Sequence, residues 1–352
     1  MKGRQVVLGR LWGAEAAALM VDGRLEDLLV DPGPLAPLAP GAILRGRVDR
    51  LVKGQGGLFL KLPDGSRGYL RETRGVSEGQ PLVVQVAGVA EPGKAVPVTR
   101  RLLLRGRFAI ATPDVPGVNV SRALRDEALR AELAGLGQAA LAGAPEGMGL
   151  ILRTAAGVAP PEKVAEEAAE LVRLATALAD DAAGPPELLL DAPGPWEAAW
   201  RDWAEPPPDD LMEGEDAFAE AGVDEAVAAL LAPEIVLPGG ASAAIEPTRA
   251  LVAIDVNTGR DTTPAAALKA NIALARDLPR QLRLRGLGGQ VVIDFAPMPK
   301  RDRGTLDQVL KAAFRPDGAA TTLAGWTAMG LYELSRKRER VPLARRAAAG
   351  EG

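Results

Sequence analysis

Two aspartates, Asp255 and Asp294, are the side chains of this sequence whose types and positions best suit chemistry. Each closes a short apolar, strand-like run, LVAID in residues 251–255 and VVID in residues 291–294, and an arginine-rich helical stretch separates the runs. A crossover of that length lets two parallel strands lie side by side, about 5 Å apart. The two carboxylates would then face one small volume and repel each other, unless a cation or a shared proton lies between them. Such oxygen ligands suit Mg²⁺.

The simpler alternative is that each aspartate only forms a turn or caps a helix at the end of its strand. The residues after Asp255 differ from a simple turn, because Asn257 can hydrogen-bond a phosphate or a metal-bound water. Gly259 lets the backbone come close to a ligand. On these residues alone, a metal site and a structural role both stay open.

The composition excludes several kinds of site. The 352 residues include no cysteine and no histidine. Disulfides, thiolate metal sites, Ser-His-Asp arrangements and most zinc chemistry are therefore excluded, and a cytoplasmic location is expected. The amino terminus has no signal-peptide pattern, and no run approaches the roughly 20 apolar residues of a membrane span.

The charge is unevenly distributed along the chain. The formal net charge is −4, but residues 160–235 are acidic and residues 276–346 are basic. A basic carboxy-terminal third around two acids is typical of a site that cleaves a polyanion.

Upstream, residues 41–99 contain short alternating runs separated by Gly and Asp turns, which predict a small closed barrel of OB type. Phe59 and Tyr69 fall on adjacent strands of that barrel. Exposed aromatic rings there would stack on bases, worth about 1–3 kcal/mol each, although both could equally be core residues. Lys94, in a Gly-Lys turn, could meet a phosphate or face water.

A further strand, Met148–Thr154, ends in Arg153 and Thr154, whose guanidinium and hydroxyl would suit a terminal phosphate. A purely structural role is the alternative. The periodicity also predicts helices over Ser121–Leu136 (with Ser121 as its cap), Glu162–Leu178, Thr305–Phe314 and Met329–Arg338, and a hairpin from Glu234 to Glu246.

With these segments in view, the chain resembles the bacterial ribonuclease E/G family along nearly its entire length. The segments that carry the resemblance are Glu146–Ala155, Ile254–Arg260, Arg280–Gly289, Val292–Phe295 and Gly330–Arg338. Several long blocks in the right order are more specific than one short motif.

The resemblance implies an α/β protein of several subdomains. The expected order is a ribonuclease-H-like subdomain in two parts (1–36 and 185–248), an OB-type RNA-binding barrel (37–100), an α/β 5′-sensor subdomain (101–184), a DNase-I-like α/β catalytic subdomain (249–346) and a tail (347–352).

The resemblance also implies internal cleavage of single-stranded RNA with Mg²⁺, or alternatively Mn²⁺. Asp255 and Asp294 would hold the metal, and Asn257 would orient the site near the scissile phosphate. The barrel residues Phe59, Tyr69 and Lys94 match RNA-contacting positions. The matches to positions that sense a 5′-monophosphate are Gly106, Ile110, Arg153 and Thr154.

The chain departs from the family pattern in several places. Without cysteine it cannot form the family's zinc link, so no zinc and no zinc-linked tetramer are expected, and it would be a monomer or a homodimer. It has the form of a short member, without the small carboxy-terminal domain. Pro297 replaces an acid that usually follows the second metal ligand, and residues 319–322 offer no further arginine for the sensor.

Two other functions compete with an RNA-cleaving enzyme. The first is a reduced family member that binds RNA but does not cut it. The second is a Mg²⁺ phosphodiesterase acting on a small nucleotide, which the barrel and the basic segment argue against, because a small substrate needs neither.

Overall fold

The computed structural model describes residues 3–52, 56–72 and 74–350. The chain divides into two compact units: the first comprises residues up to 35 and from 209 onward, and the second comprises residues 36–208. The five subdomain boundaries expected above stay predictions. Residues 1 and 2 of the first expected subdomain, and residues 351 and 352 of the expected tail, lie outside the described residues.

The strands are given in chain order. They are β1 (Arg4–Leu11), β2 (Ala14–Val21), β3 (Arg24–Val30), β4 (Ile43–Val52), β5 (Gly57–Lys61), β6 (Arg67–Leu70), β7 (Pro81–Val86), β8 (Val96–Thr99), β9 (Leu104–Arg105), β10 (Ala109–Thr112), β11 (Gly117–Val120), β12 (Gly149–Leu152), β13 (Glu187–Leu190), β14 (Asp210–Glu213), β15 (Glu234–Leu237), β16 (Ala241–Pro247), β17 (Val252–Asn257), β18 (Gly289–Asp294), β19 (Thr321–Trp326) and β20 (Tyr332–Arg336).

The helices contain fewer residues in total than the strands. They are α1 (Glu127–Ala140), α2 (Pro161–Asp180), α3 (Pro195–Trp203), α4 (Ala217–Glu220), α5 (Val223–Leu231), α6 (Pro264–Leu284), α7 (Arg303–Phe314) and α8 (Leu343–Gly350), with short 3-10 turns at Gly33–Leu35, Thr154–Gly157 and Lys300–Asp302. In the described part of the chain, none is both long and apolar enough to cross a bilayer.

The first unit contains two sheets, with strand orders β14-β1-β2-β3 and β15-β16-β17-β18-β20-β19. Partly buried arginines connect the first sheet to α6 and to the segment after β20. Arg340 donates to the Asp27 carboxylate over 2.6 Å, and Arg283 donates to the Glu26 carbonyl over 2.8 Å. Arg340 and Asp27 thus offset each other's charge at a partly buried position.

The six-stranded sheet has one covered face and one open face. In β17, Val252, Ile254 and Val256 are buried, and they share a core with the apolar residues of α6 and α7. Because side chains alternate along a strand, the positions between them point to the opposite face. The helix α6 is the crossover between the parallel strands β17 and β18, as its length predicted.

The second unit contains a closed five-stranded barrel, in the order β4-β5-β6-β8-β7 with β4 also paired to β7. Its interior is lined by leucines and valines, among them Leu58, Leu60 and Leu70. The strand β13 adds to the outside of β4. Buried Arg45 secures this contact by pairing with Asp181 and Glu187.

The rest of the second unit is a four-stranded sheet, β11-β12-β10-β9, packed against α1 and α2 around a second core. Residues 185–208, the start of the expected second ribonuclease-H-like part, also belong to this unit.

Two helix predictions were wrong. Residues 329–338 contain the strand β20, in which Tyr332, Leu334 and Arg336 are buried and the residues between them are exposed. This alternation is a strand pattern. The helix predicted from Ser121 begins instead at Glu127, because the Asp126 carboxylate accepts from two backbone amides of its first turn, at 2.9 and 3.2 Å.

Candidate active site

Asp255 and Asp294, the aspartate pair, lie directly opposite each other on β17 and β18. Adjacent parallel strands place the two Cα atoms about 5 Å apart. Both side chains are exposed, on the face of the sheet away from α6 and α7. The convergence predicted from the sequence is therefore present.

No ion pair or hydrogen bond joins either carboxylate to another described residue. The described residues also contain no group of three or more acidic side chains spaced to hold a metal ion. The aspartate pair is thus a two-carboxylate site, open to solvent. Its donor set fits Mg²⁺, which often takes one or two protein carboxylates and completes its shell with water and substrate phosphate.

Asn257 extends the same exposed row of β17. Its Oδ1 accepts a hydrogen bond from the Gly259 amide over 2.8 Å, which forms a tight turn. Gly259 has φ +68°, and a Cβ there would lie 2.4 Å from the Gly240 carbonyl oxygen. Only glycine meets both conditions. The turn uses the oxygen of Asn257 and leaves its Nδ2 as the group that can donate to a ligand.

Asn271, which the sequence did not single out, fixes the chain just after Asp294. It is fully buried on α6, where Nδ2 donates to the Ala296 carbonyl over 2.9 Å and Oδ1 accepts from the Ala296 amide over 3.0 Å. Phe295, the residue between Asp294 and Ala296, packs on Trp326 with the ring centroids 5.8 Å apart. An asparagine within the apolar stripe of α6 was the signal in the sequence.

Phe59 and Tyr69 lie outside the barrel core, opposite each other on β5 and β6. Their ring centroids are 5.6 Å apart. Two guanidinium groups, of Arg50 and Arg67, lie 5.4 and 5.5 Å from the centroid of the Phe59 ring. We call these four residues the aromatic face. Its partly exposed rings and two cations could stack on bases and attract a phosphate backbone.

The two arginines of this face were missed in the sequence. Arg50 lies opposite Phe59 in the β4–β5 pair, and Arg67 lies two residues before Tyr69. Both positions could have been found from the alternation of inward- and outward-facing side chains along β4 and β6. Lys94 is not part of the aromatic face: it lies in the turn between β7 and β8 and pairs with Glu91.

Arg153 and Thr154 line a pocket of about 360 Å³ in the second unit. We call it the arginine pocket; the members used below are Ser121, Arg153, Thr154, Arg201, Asp202 and Glu205. Arg153 donates to the Gly106 carbonyl over 2.6 Å and to the Asp202 carboxylate over 2.7 Å. The hydroxyl of Thr154 is 2.8 Å from that of Ser121.

The other two residues predicted for this site lie beside the pocket. Ile110 is paired with Ile151, a lining residue. Gly106 has a second role, because a Cβ there would lie 2.3 Å from a carboxylate oxygen of Glu167. That carboxylate accepts from the backbone amides of residues 107–109, at 2.7–3.0 Å.

Both acids of the arginine pocket are paired with arginines. Burial raises the pKa of Asp202, but the hydrogen bonds and charges of Arg201 and Arg153 outweigh it and hold that pKa below its usual value. Glu205 accepts from Arg107 over 2.6 Å. Asp202 is therefore an anion at neutral pH.

Comparison with known proteins gives consistent matches. The model of the ribonuclease E/G family matches residues 103–212 and 209–339. Ribonuclease E of Nostoc sp. is 28% identical over 380 residues, which cover 92% of this chain and 54% of that protein. Ribonuclease E of Haemophilus influenzae is 30% identical over 300 residues, covering 74% and 32%. Ribonuclease G of Escherichia coli (strain K12) is 26% identical over 364 residues, covering 85% and 73%. The chain thus spans about half of the Nostoc relative and about a third of the Haemophilus one.

Proposed function

The chain belongs to the ribonuclease E/G family, and from that premise we propose that it is an endoribonuclease that cleaves single-stranded RNA in the cytoplasm. The observation that carries the proposal is the aspartate pair: Asp255 and Asp294 are opposite each other on parallel strands, exposed and without a cationic partner among the described residues. Two such carboxylates without a counter-ion repel each other, which favours a site for a divalent cation.

In this proposal Asp255 and Asp294 hold Mg²⁺, or alternatively Mn²⁺. When bound, the ion supplies a water of lowered pKa and offsets charge on the phosphate oxygens. Asn257 donates from Nδ2 to the scissile phosphate, because its oxygen is engaged by Gly259. Arg260 lies in the loop after β17 and Lys300 begins the 3-10 turn after β18; both are exposed and attract the flanking phosphates.

The second unit supports a substrate of several nucleotides. We propose that the barrel is the OB-type RNA-binding part, and that its aromatic face takes bases of the single strand. We also propose that the arginine pocket takes the 5′ end of the RNA. A small nucleotide would need neither surface.

The test is cleavage of a 5′-monophosphorylated single-stranded RNA oligonucleotide by the purified protein, with Mg²⁺ and with EDTA. We expect Asp255→Asn and Asp294→Asn each to slow cleavage by about a thousandfold or more, because several kcal/mol of charge stabilisation depend on the ion. RNA binding should persist in both variants.

Glu234→Gln is the matched control. Glu234 is exposed and lies on the row that continues through Ala244 to Asp255, two strands away and so about 10 Å from it. Its loss should leave the rate unchanged. Full activity in either aspartate variant would rule out this assignment. If the wild type binds RNA but does not cut it in the presence of any divalent ion tested, the chain is an RNA-binding member that does not cleave.

A further inference from the structure

The arginine pocket already contains an anionic group of the protein itself, the carboxylate of Asp202. Its Oδ1 accepts from Arg153 over 2.7 Å. Its Oδ2 accepts from two nitrogens of Arg201, at 2.7 Å from Nη2 and 3.2 Å from Nε. Each oxygen therefore faces a different guanidinium group.

A carboxylate between two guanidinium groups uses the same donors that a phosphate would use. The hydroxyls of Ser121 and Thr154 lie in the same pocket, 2.8 Å apart; one donates to the other, which leaves one hydroxyl hydrogen for a further acceptor. The pocket thus has the groups to bind a terminal phosphate, but both of its cations are engaged by Asp202.

We propose that Asp202 is the specificity-determining residue of this pocket, an internal anion that a terminal phosphate must displace from Arg153 and Arg201. Arg201 is then the second cation of the bound state. The inference rests on the proposed function only in naming an RNA 5′ end as the ligand.

The position of Asp202 allows such a displacement. It lies in the last turn of α3, and about a third of its side chain is exposed (32%). Its carboxylate can therefore turn toward water without unfolding the helix. Glu205, paired with Arg107, lines the same pocket and adds a second negative charge against an incoming phosphate.

The consequence is that the wild-type protein discriminates weakly between RNA with a 5′-phosphate and RNA with a 5′-hydroxyl. The phosphate gains two guanidinium contacts, but it replaces contacts of the same kind that already exist. Removing the charge of Asp202 removes that competition.

The experiment measures binding of one single-stranded oligonucleotide, with a 5′-monophosphate or a 5′-hydroxyl, in EDTA so that no cleavage intervenes. Asp202→Asn should raise the affinity ratio of phosphate over hydroxyl about tenfold, the scale of one charge-assisted pair. Asp202→Glu should keep the wild-type ratio. Glu197→Gln, which removes an exposed acid from the same helix outside the pocket, should also keep it.

An unchanged or lowered ratio in Asp202→Asn would overturn the proposal and leave Asp202 as a structural partner of Arg153. Equal gains for both oligonucleotides would also overturn it, because they indicate a general effect of charge on RNA. The same variants are titrated with adenosine 5′-monophosphate and adenosine. This arm needs neither the barrel nor the aspartate pair, so it decides the role of Asp202 even if the chain proves not to cut RNA.

Discussion

The aspartate pair and the arginine pocket are held in place in different ways. The carboxylates of Asp255 and Asp294 have no described partner, and the backbone beneath them is fixed instead, by the core of the sheet and by Asn271. Arg153 is fixed at its functional end, by the Gly106 carbonyl and Asp202. A cation arriving at the first site relieves a repulsion, whereas an anion arriving at the second must replace bonds that exist. In the proposed function, the first site is therefore prepared for a cation, and the second is closed against weakly binding anions.

The largest effect that tests this contrast is expected from Asn271→Leu. Leucine has a similar volume but leaves the buried amide and carbonyl of Ala296 without partners, at a cost of about 1–3 kcal/mol in the free energy of unfolding. The chain after Asp294 should then shift, and cleavage should slow by about ten- to a hundredfold, as small misplacements of catalytic groups do. Denaturant unfolding and single-turnover cleavage measure the two quantities.

Leu278→Ala is the control for stability alone. Leu278 is fully buried on the same helix, and its truncation should cost about 2–5 kcal/mol while the folded fraction keeps its cleavage rate. If both variants lose rate only in proportion to their folded fraction, the backbone beneath Asp294 needs no special support, and the contrast fails on this side.

A smaller effect, on the other side of the contrast, is expected from Arg153→Gln. The change removes the hydrogen bonds to Gly106 and Asp202, and we expect a loss of about 1–2 kcal/mol in the free energy of unfolding. Arg125→Gln, an exposed arginine of the same unit, should cost far less. If Arg153→Gln loses no more unfolding free energy than Arg125→Gln, the guanidinium group of Arg153 is not what fixes this side chain.

The pH dependence of the free energy of unfolding tests the same Arg153–Asp202 interaction. The pKa of Asp202 is lowered in the folded protein, so its pairing stabilises the fold above the pKa of the unfolded state, about 3.9. This contribution is lost as pH falls through the lower folded pKa. The difference in stability between wild type and Arg153→Gln should therefore be constant near neutral pH and shrink in acid.

The sequence predicted that Asp255 and Asp294 lie side by side because two local patterns sufficed. The apolar runs that end in the two aspartates indicated strands, and the helical length between them indicated a parallel crossover. The exposure of both carboxylates became evident only in the structure. The barrel followed from the alternation of apolar and polar residues in residues 41–99. The strand at residues 332–336 was missed because its arginine-rich end resembled the basic end of a helix, and the buried positions became evident only in the sheet.

The pairing of the arginine pocket could not be predicted, because Arg153 and Asp202 are 49 residues apart and the sequence pattern relates no part of α3 to the end of β12. Charged partners over such a distance follow from tertiary packing, which local periodicity does not encode. Asn271 is intermediate: its place on an apolar stripe was visible, but its contact with Ala296 was not.

The smallest expected effect is the stabilisation of the protein by Mg²⁺. A ligand that binds only the folded state adds about 1.4 kcal/mol to the free energy of unfolding at a tenfold excess over its Kd. The wild type and Arg153→Gln should both show this gain in denaturant unfolding with and without Mg²⁺. Asp255→Asn should lose the gain, and without Mg²⁺ it should be more stable than the wild type by about 0.2–1 kcal/mol, because one of two opposed like charges is gone. An equal gain from Mg²⁺ in Asp255→Asn would place the ion elsewhere, and the aspartate pair would then be no more prepared for a ligand than the arginine pocket.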